Sequence, residues 1–327
     1  MFEWLFGAKD RKPSGGAGGG KVHSARAKVP AKPKAAPPPK LRKVNIDRKY
    51  TIIAEIGQGS MSRVFRAVEN EAGRVVCLKL QDKEKTQAAL TRTQSIGRPT
   101  EGEMAQQINH PHVVRTYDYG LTNKGEYFLV MDFIEGVSLN FVRQSGADLG
   151  RKVELLAQAA EGLAAVHAKG FIHHDYGPKN LLVNRDDQIK LIDFGLAVPN
   201  TEVFRRPGNR TGTLQYMAPE LVRRETISEK IDIFSWSVTA FELLTGKLPY
   251  DATDPMQMIR QRINLDPMDI KSLGPYLPDD LCEIIRKAMA RRPEQRWPAA
   301  ASLPGALRAL PCAQDFQKSR PKDRPYD

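Results

Sequence analysis

Three polar residues, Asp175, Asn180 and Asp193, constrain this chain more than anything else in it. They stand in the stretch 171–195, which reads Phe-Ile-His-His-Asp-Tyr-Gly-Pro-Lys-Asn, then two short apolar runs, then Asp-Phe-Gly. Asp175 and Asn180 are five apart on a segment holding Gly177 and Pro178. Such a segment is too rich in breakers to be helix, so both belong on one tight loop. Residues 181–183 and 189–191 are apolar and flank the polar turn Asn184-Arg185-Asp186-Asp187, the pattern of a hairpin. That hairpin would bring Asp193 back beside Asn180. Two oxygen donors then converge on a β scaffold, which suits a hard cation such as Mg²⁺, and the Asp175 carboxylate is left near them to handle a proton.

The order His-x-Asp, four residues, Asn, then Asp-Phe-Gly resembles the catalytic and metal loops of eukaryotic-type protein kinases. Each piece alone has an ordinary explanation. A lone Asp-Phe-Gly occurs by chance, and a histidine before an apolar run is usually packed in a core. The ordered set is a stronger signal, and the rest of the chain tests it.

At 327 residues the chain exceeds the size a single core usually serves, so two lobes or domains are expected. Its 41% apolar and 27% charged residues fit a soluble globular protein. Cys77, Cys282 and Cys312 lie far apart with no paired spacing, which argues against a disulfide framework or zinc site and suits a reducing cytoplasm. Residues 1–43 hold eleven Lys or Arg against Glu3 and Asp10, nine of the twelve net positive charges. The basicity therefore belongs to a tail, residues 1–44, and is no evidence of nucleic-acid binding by the folded part. That tail is rich in Gly at 15–20 and in Pro, Ala and Lys at 29–43, a composition expected to be disordered. Its aromatic start, Phe2, Trp4 and Phe6, is too short for a signal-peptide core. The bland reading is an unstructured end; the sharper one is a weak contact of residues 1–43 with an anionic membrane or acidic partner. No apolar run reaches membrane-spanning length. Residues 311–327 read as a second tail, frayed at its charged end.

The kinase-like domain spans 45–310, with a small lobe at 48–134 and a large lobe at 135–310. In the small lobe, 50–57, 61–69 and 74–81 are strand-like and separated by turn signals, an antiparallel meander. Gly57 and Gly59 lie at the first turn. A strand rather than a helix follows them, which disfavours a dinucleotide fingerprint and resembles the kinase glycine loop that folds over phosphates. Ser62 stands where that family has a third glycine. The resemblance implies that Lys79, at the end of the third strand, holds the α- and β-phosphates, and that Glu101 on a short helix starting near Pro99 pairs with it; Glu103 is the rival. Residues 113–119 and 127–133 complete a five-stranded sheet. By the same resemblance Ile56, Gly57, Gly59, Ser62, Val64, Cys77, Met131, Asp132, Phe133 and Leu182 surround the nucleotide, with 133–136 as the hinge.

In the large lobe, 152–167 is an amphipathic helix with His167 on its buried face. Residues 232–244 are apolar nearly all round, a buried central helix, with Asp232 expected to cap it and to hold the catalytic loop. Residues 280–290 form a further amphipathic helix. The span from Asp193 to Ala218-Pro219-Glu220 resembles a kinase activation segment, and Arg296 matches the arginine that pairs with its glutamate, Glu220.

These features imply an α+β, two-lobed protein kinase fold, most like bacterial serine/threonine kinases. It would bind ATP with Mg²⁺, or Mn²⁺, and phosphorylate serine or threonine hydroxyls of proteins, itself included. Asn180 and Asp193 would hold the metal, and Asp175, Lys79, Lys179 and Glu101 would serve the chemistry. Two departures stand out. Gly177 replaces the lysine usual two residues after the catalytic Asp, with Lys179 two further on as in some tyrosine kinases. His174 replaces a common arginine, so activity without activation-segment phosphorylation is expected. The alternatives are tyrosine or dual specificity, and an ATP-binding pseudokinase module. Substrate, upstream signal and oligomeric state are not written in the sequence.

Overall fold

The smaller lobe has an apolar core on one face of its sheet, and a second, larger core fills the other lobe and reaches Leu129 and Met131 on that sheet. The protein is described by a computed structural model over residues 41–59, 61–93, 96–208, 211–252 and 254–319. All of these belong to one unit, Pro37–Asp327. The expected aromatic anchor at 2–6, most of the basic tail and the frayed end lie outside the described residues.

Six strands form the small-lobe sheet: β1 (Lys43–Val44), β2 (Tyr50–Gln58), β3 (Ser62–Glu69), β4 (Arg74–Gln81), β5 (Thr116–Thr122) and β6 (Tyr127–Asp132), in the order β1-β5-β6-β4-β3-β2. Side chains along a strand alternate between faces. In β4, Val76, Leu78 and Leu80 therefore pack into a core with Ile46, Tyr50, Phe65, Ala67, Phe128 and Val130, while Cys77, Lys79 and Gln81 face the opposite way.

Two expectations change here. The sheet has six strands rather than five, because Lys43 and Val44, assigned to the tail, pair in parallel with Leu121 and Thr122. A two-residue strand is too short to show an apolar alternation, although Val44 does pack against the small-lobe core. What admits it is Gly120, where a Cβ would stand 2.6 Å from the Arg42 carbonyl oxygen, and Asp118, which binds Arg42 at 2.7 Å and Lys49 at 3.0 Å. The second change is at 113–119. β5 starts only at Thr116, and Val113 instead bridges to Leu191 of the large lobe. The Leu191 amide donates to His112 O and the Val114 amide to Leu191 O, both at 2.9 Å, so this segment ties the two lobes together.

The large lobe centres on the helices Leu149–Ala168 and Lys230–Thr245. The second is buried from Ile231 to Leu244, as its all-round apolarity predicts, and Trp236 Nε1 donates to the Leu156 carbonyl at 3.1 Å. Beside them lie the helix Asp279–Ala288, the short strand β8 (Phe171–Ile172), paired with Val198–Pro199, and a small sheet in which β7 (Gly136–Ser138) and β10 (Ile189–Leu191) flank β9 (Leu181–Asn184). The expected tail after 310 begins instead with a helix, Pro311–Ser319. It packs on the Leu149–Ala168 helix where Gly150 has no side chain; a Cβ there would lie 2.4 Å from Cys312 O and 2.6 Å from Phe316 Cβ. Among the described residues no helix is long and apolar enough to cross a membrane.

Candidate active site

The loop carrying Asp175 is shaped from beneath. Asp232, wholly buried, accepts from the backbone amides of His173 (2.8 Å) and His174 (3.0 Å) and bonds His167 Nε2 at 2.9 Å. Burial alone would raise its carboxyl; the facing histidines bring it below the usual carboxylate range. The helix starts two residues earlier, at Lys230, so Asp232 does not cap it. Its carboxylate is turned to the loop and to His167 instead. His174 takes a left-handed φ of 68°, a strained conformation for a residue with a Cβ, and these two amide bonds hold it there.

Asn180 follows on a single 3₁₀ turn, Pro178–Asn180. Its Nδ2 donates to the Asp175 carbonyl at 2.8 Å and to Asp175 Oδ2 at 3.3 Å. The β9–β10 hairpin forms with Leu181 opposite Leu191, its turn closed by Asn184 Oδ1, which accepts from the Asp186 and Gln188 amides. The return is direct: the Ile192 amide donates to Asn180 O at 2.9 Å, setting Asp193 beside the asparagine. Asp193 also has a left-handed φ, 65°.

Lys79 Nζ stands 2.8 Å from Glu101 Oε1 and 2.9 Å from Asp193 Oδ1. Burial alone would lower the ammonium pKa, but the two carboxylates raise it above its ordinary value. Burial alone would raise Asp193, and Lys79 with the Gly195 amide pulls it down to about 2. Both groups are thus charged throughout the neutral range. Glu101, rather than Glu103, meets the lysine. The reason is a helix of only five residues, Glu101–Ala105, in which Thr100 and Glu103 form a reciprocal capping box; Glu103 is committed to the cap. Gln81 Nε2 adds a bond to Glu101 Oε2 at 2.5 Å.

The residues expected around a nucleotide lie on these elements. Cys77 pairs with Met131 across β4 and β6, and Gly57 with Val64 across β2 and β3. Burial pushes the Cys77 thiol up to about 11. Ile56 is half exposed on the edge strand. Leu182 sits in β9 opposite Ser138, just beyond the coil that holds Phe133. Ser62 O accepts from the Gly59 amide at 2.8 Å, which closes the glycine turn. A Cβ at Gly57 or Gly59 would come no closer than 3.7 Å to any protein atom. Neither glycine is demanded by packing or by positive φ. The Asp132 carboxylate is turned to the Tyr117 hydroxyl, so any role for Asp132 toward a ligand falls to its main chain.

Asp175 itself faces the segment after Asp193. Its Oδ1 accepts from the Thr213 amide (2.9 Å) and hydroxyl (2.6 Å), and its Oδ2 meets Lys179 Nζ at 2.8 Å. Gly177 has a structural explanation. A Cβ there would lie 3.3 Å from the Tyr216 ring, and Tyr216 is held over the loop by a 2.6 Å bond to Glu242, which also pairs with Arg143 at 2.7 Å. The segment ends where Glu220 meets Arg296 through two bonds of 2.6 and 2.8 Å.

Sequence reading missed four features: the grip of Arg98 on the chain after Asp193, Gln81 on Glu101, Arg143 on Glu242, and the capping box. Only the last left a local signal, Thr100-x-x-Glu103 before an apolar residue.

Comparison with known proteins agrees with this geometry. A protein kinase domain family profile matches residues 50–304. The chain is 33% identical over 259 residues to serine/threonine-protein kinase PknD of Mycobacterium tuberculosis, a match covering 78% of this chain and 38% of that protein. It is 32% identical over 273 residues to PknE of the same species, covering 83% and 47%. To the probable serine/threonine-protein kinase pknA2 of Bifidobacterium longum it is 29% identical over 255 residues, covering 77% and 33%. The chain thus matches less than half the length of each of these relatives.

Proposed function

Because the chain belongs to the protein kinase family, we propose that it transfers the γ-phosphoryl group of Mg·ATP to serine or threonine hydroxyls of proteins, its own included. The observation that carries this reading is the Thr213 hydroxyl donating to Asp175 at 2.6 Å. It demonstrates that a short aliphatic hydroxyl fits against this carboxylate. An acceptor hydroxyl in the same place would be oriented by Asp175 and would lose its proton to it.

The donor set suits a small hard cation. Asn180 spends its amide N–H on Asp175, which leaves the amide oxygen for a ligand, and Asp193 is ionised. Two protein oxygens are few, as expected for Mg²⁺, which keeps waters and phosphate oxygens in its shell. Asn180 and Asp193 would hold the cation, whose chemistry there would be to neutralise charge on the phosphoryl group being transferred. Lys79, oriented by Glu101, would bind the α- and β-phosphates. Gly57 and Gly59 would let the main chain approach the phosphates, a role favoured by the lack of any packing reason for them. Lys179 stands close enough to Asp175 to reach the transferring group in place of the lysine that Gly177 replaces. The apolar wall of Ile56, Val64, Cys77, Met131 and Leu182 would take the adenine.

Incubation of the purified chain with labelled ATP, Mg²⁺ and dephosphorylated casein, followed by phosphoamino-acid analysis, tests the reading. Phosphoserine or phosphothreonine is expected. Phosphotyrosine alone would overturn the acceptor assignment, and ATP binding without transfer would make the chain a nucleotide-responsive module.

A further inference from the structure

Glu101 sits on a helix too short to hold itself in place. An isolated helix needs roughly 12–15 residues before it is even marginally stable in water, and this one has five. The preceding helix, Lys83–Thr93, buries none of its residues and cannot brace it. Between them Gly97, Arg98 and Pro99 break the path; a residue before proline is steered to extended backbone, so Arg98 cannot join the Glu101 helix. On its inner side the helix packs Gly102 against Tyr119, so closely that a Cβ would fall 2.5 Å from the ring. Met104 and Ala105 are buried in the main core as well; these apolar contacts seat the helix but supply no hydrogen bond to the chain after Asp193.

Arg98 reaches across that gap. Its Nη2 donates to the carbonyls of Gly195 (2.7 Å) and Ala197 (2.9 Å), and its Nε donates to Ala197 at 3.2 Å. The Gly195 amide donates to Asp193 Oδ1 at 3.1 Å, Lys79 joins Asp193 to Glu101, and Glu101 lies three residues after Arg98. The circuit is closed. It is also tight, since a Cβ at Gly195 would stand 3.1 Å from Asp193 Oδ1 and 3.5 Å from Glu101 Oε2. His174, directly before Asp175, is buried and pushed below its ordinary pKa, a poor anchor for a phosphate.

We propose that Arg98 is a positioning residue that locks the chain after Asp193 against the Glu101 helix, so that Lys79, Glu101 and Asp193 are assembled without a phosphorylated activation segment. Its planar guanidinium grips Ala197 O through Nε and Nη2 together while Nη2 also reaches Gly195 O, a fixed two-nitrogen fork that the single nitrogen of a lysine does not reproduce. The inference rests on the kinase reading for its rate consequence but not for its structural one.

The test uses the full chain, stripped of phosphate by a phosphatase and checked by mass spectrometry. Turnover with Mg·ATP and casein, melting temperature and amide hydrogen exchange are compared for wild type, Arg98→Ala, Arg98→Lys and the exposed control Arg92→Ala. Losing a fork of charge-assisted bonds should lower kcat about ten- to a hundredfold in Arg98→Ala. Exchange should quicken together in the segments 101–108 and 194–200 and nowhere else, with an intermediate result for Arg98→Lys and none for Arg92→Ala. Wild-type turnover and exchange from Arg98→Ala would overturn the proposal, as would faster exchange spread over both lobes, the mark of a merely structural role. If Arg98→Ala does not fold, Arg98→Lys carries the test, and wild-type values from it overturn the proposal. A wild-type chain that transfers no phosphate would sink the kinase reading alone, because the exchange measurement needs no turnover.

Discussion

The Arg296–Glu220 pair anchors the end of the segment that delivers Thr213 to Asp175, and its geometry sets what its loss should cost. The Arg296 side chain is fully buried and that of Glu220 is 4% exposed. Five N–H bonds are made: two to Glu220, and one each to the carbonyls of Ala290 (2.8 Å), Lys230 (2.8 Å) and Arg291 (3.1 Å). A guanidinium has five such donors, so this one is saturated. Removing one member of a buried ion pair leaves an uncompensated charge, at about 3–5 kcal/mol. Arg296→Ala should lie at the upper end, because it strands the carboxylate and three carbonyls together. Glu220→Ala should lie at the lower end, because the guanidinium keeps its three carbonyls. In a lobe of this size about 1 kcal/mol corresponds to roughly 2–4 °C of melting temperature, so drops of about 6–20 °C are expected by calorimetry, with urea denaturation for the free energies. The double variant Glu220→Leu/Arg296→Met removes both charges and should recover to within about 2 kcal/mol of wild type. Below the melting transition the single variants should still lose phosphotransfer, since Thr213 is no longer held. A loss under about 1 kcal/mol in Arg296→Ala, or a double variant worse than the two singles summed, would refute the reasoning.

Asp175→Asn should cut phosphotransfer by orders of magnitude and leave ATP affinity nearly unchanged in titrations, because the carboxylate meets Thr213 and Lys179 rather than Lys79; wild-type turnover would remove it from the mechanism. Asp193→Asn should weaken Mg·ATP binding as well, since Lys79 and the metal position both depend on that charge. Cys77, with its thiol pushed up to about 11, should alkylate slowly at pH 7.5 and more slowly still with Mg·ATP, and equal labelling in both states by mass spectrometry would place it outside the pocket. His173 and His174 are held below their ordinary pKa by burial, so their folded values are depressed relative to about 6.5 in the unfolded chain. The stability they confer is complete above about pH 6.5 and declines as pH falls below it; His174→Gln should flatten melting temperature between pH 7 and 5.5, and an unchanged slope would count against it. Phosphate-free enzyme should turn over from the first minute, with only modest stimulation as Thr201 or Thr211 gains phosphate; a rate near zero that recovers with that phosphate would show ordinary switching.

Much of the site was legible because its parts are local. Asp175 and Asn180 share one loop, Asp193 returns on a hairpin whose turn residues name themselves, and the alternation of β4 puts Cys77 and Lys79 on one face with no knowledge of what faces them. The central helix is readable for the same reason: the run at 232–244, apolar nearly all round, has nowhere to be but inside. Even the choice of Glu101 over Glu103 had a local signature in the capping box, since a glutamate three residues after Thr100 is drawn to the cap.

What the sequence could not settle are contacts whose partners are far apart in the chain and whose energy lies in main-chain groups. Arg98 finds carbonyls 97 and 99 residues away, and every residue carries a carbonyl, so no side-chain pattern marks those two. Lys43 and Val44 join the sheet because β5 has an open edge and Gly120 leaves room; one apolar residue, Val44, is too little pattern to announce a strand. Pro311–Ser319 becomes a helix against the notch at Gly150, where its amphipathic face finds a surface its own composition does not reveal. Asp232 was expected both to cap the helix and to hold the catalytic loop, and the fold keeps only the second role: its carboxylate takes the His173 and His174 amides, since unpaired buried N–H groups are costly. Local sequence determines which face a residue joins, and tertiary packing decides which distant backbone group it meets there.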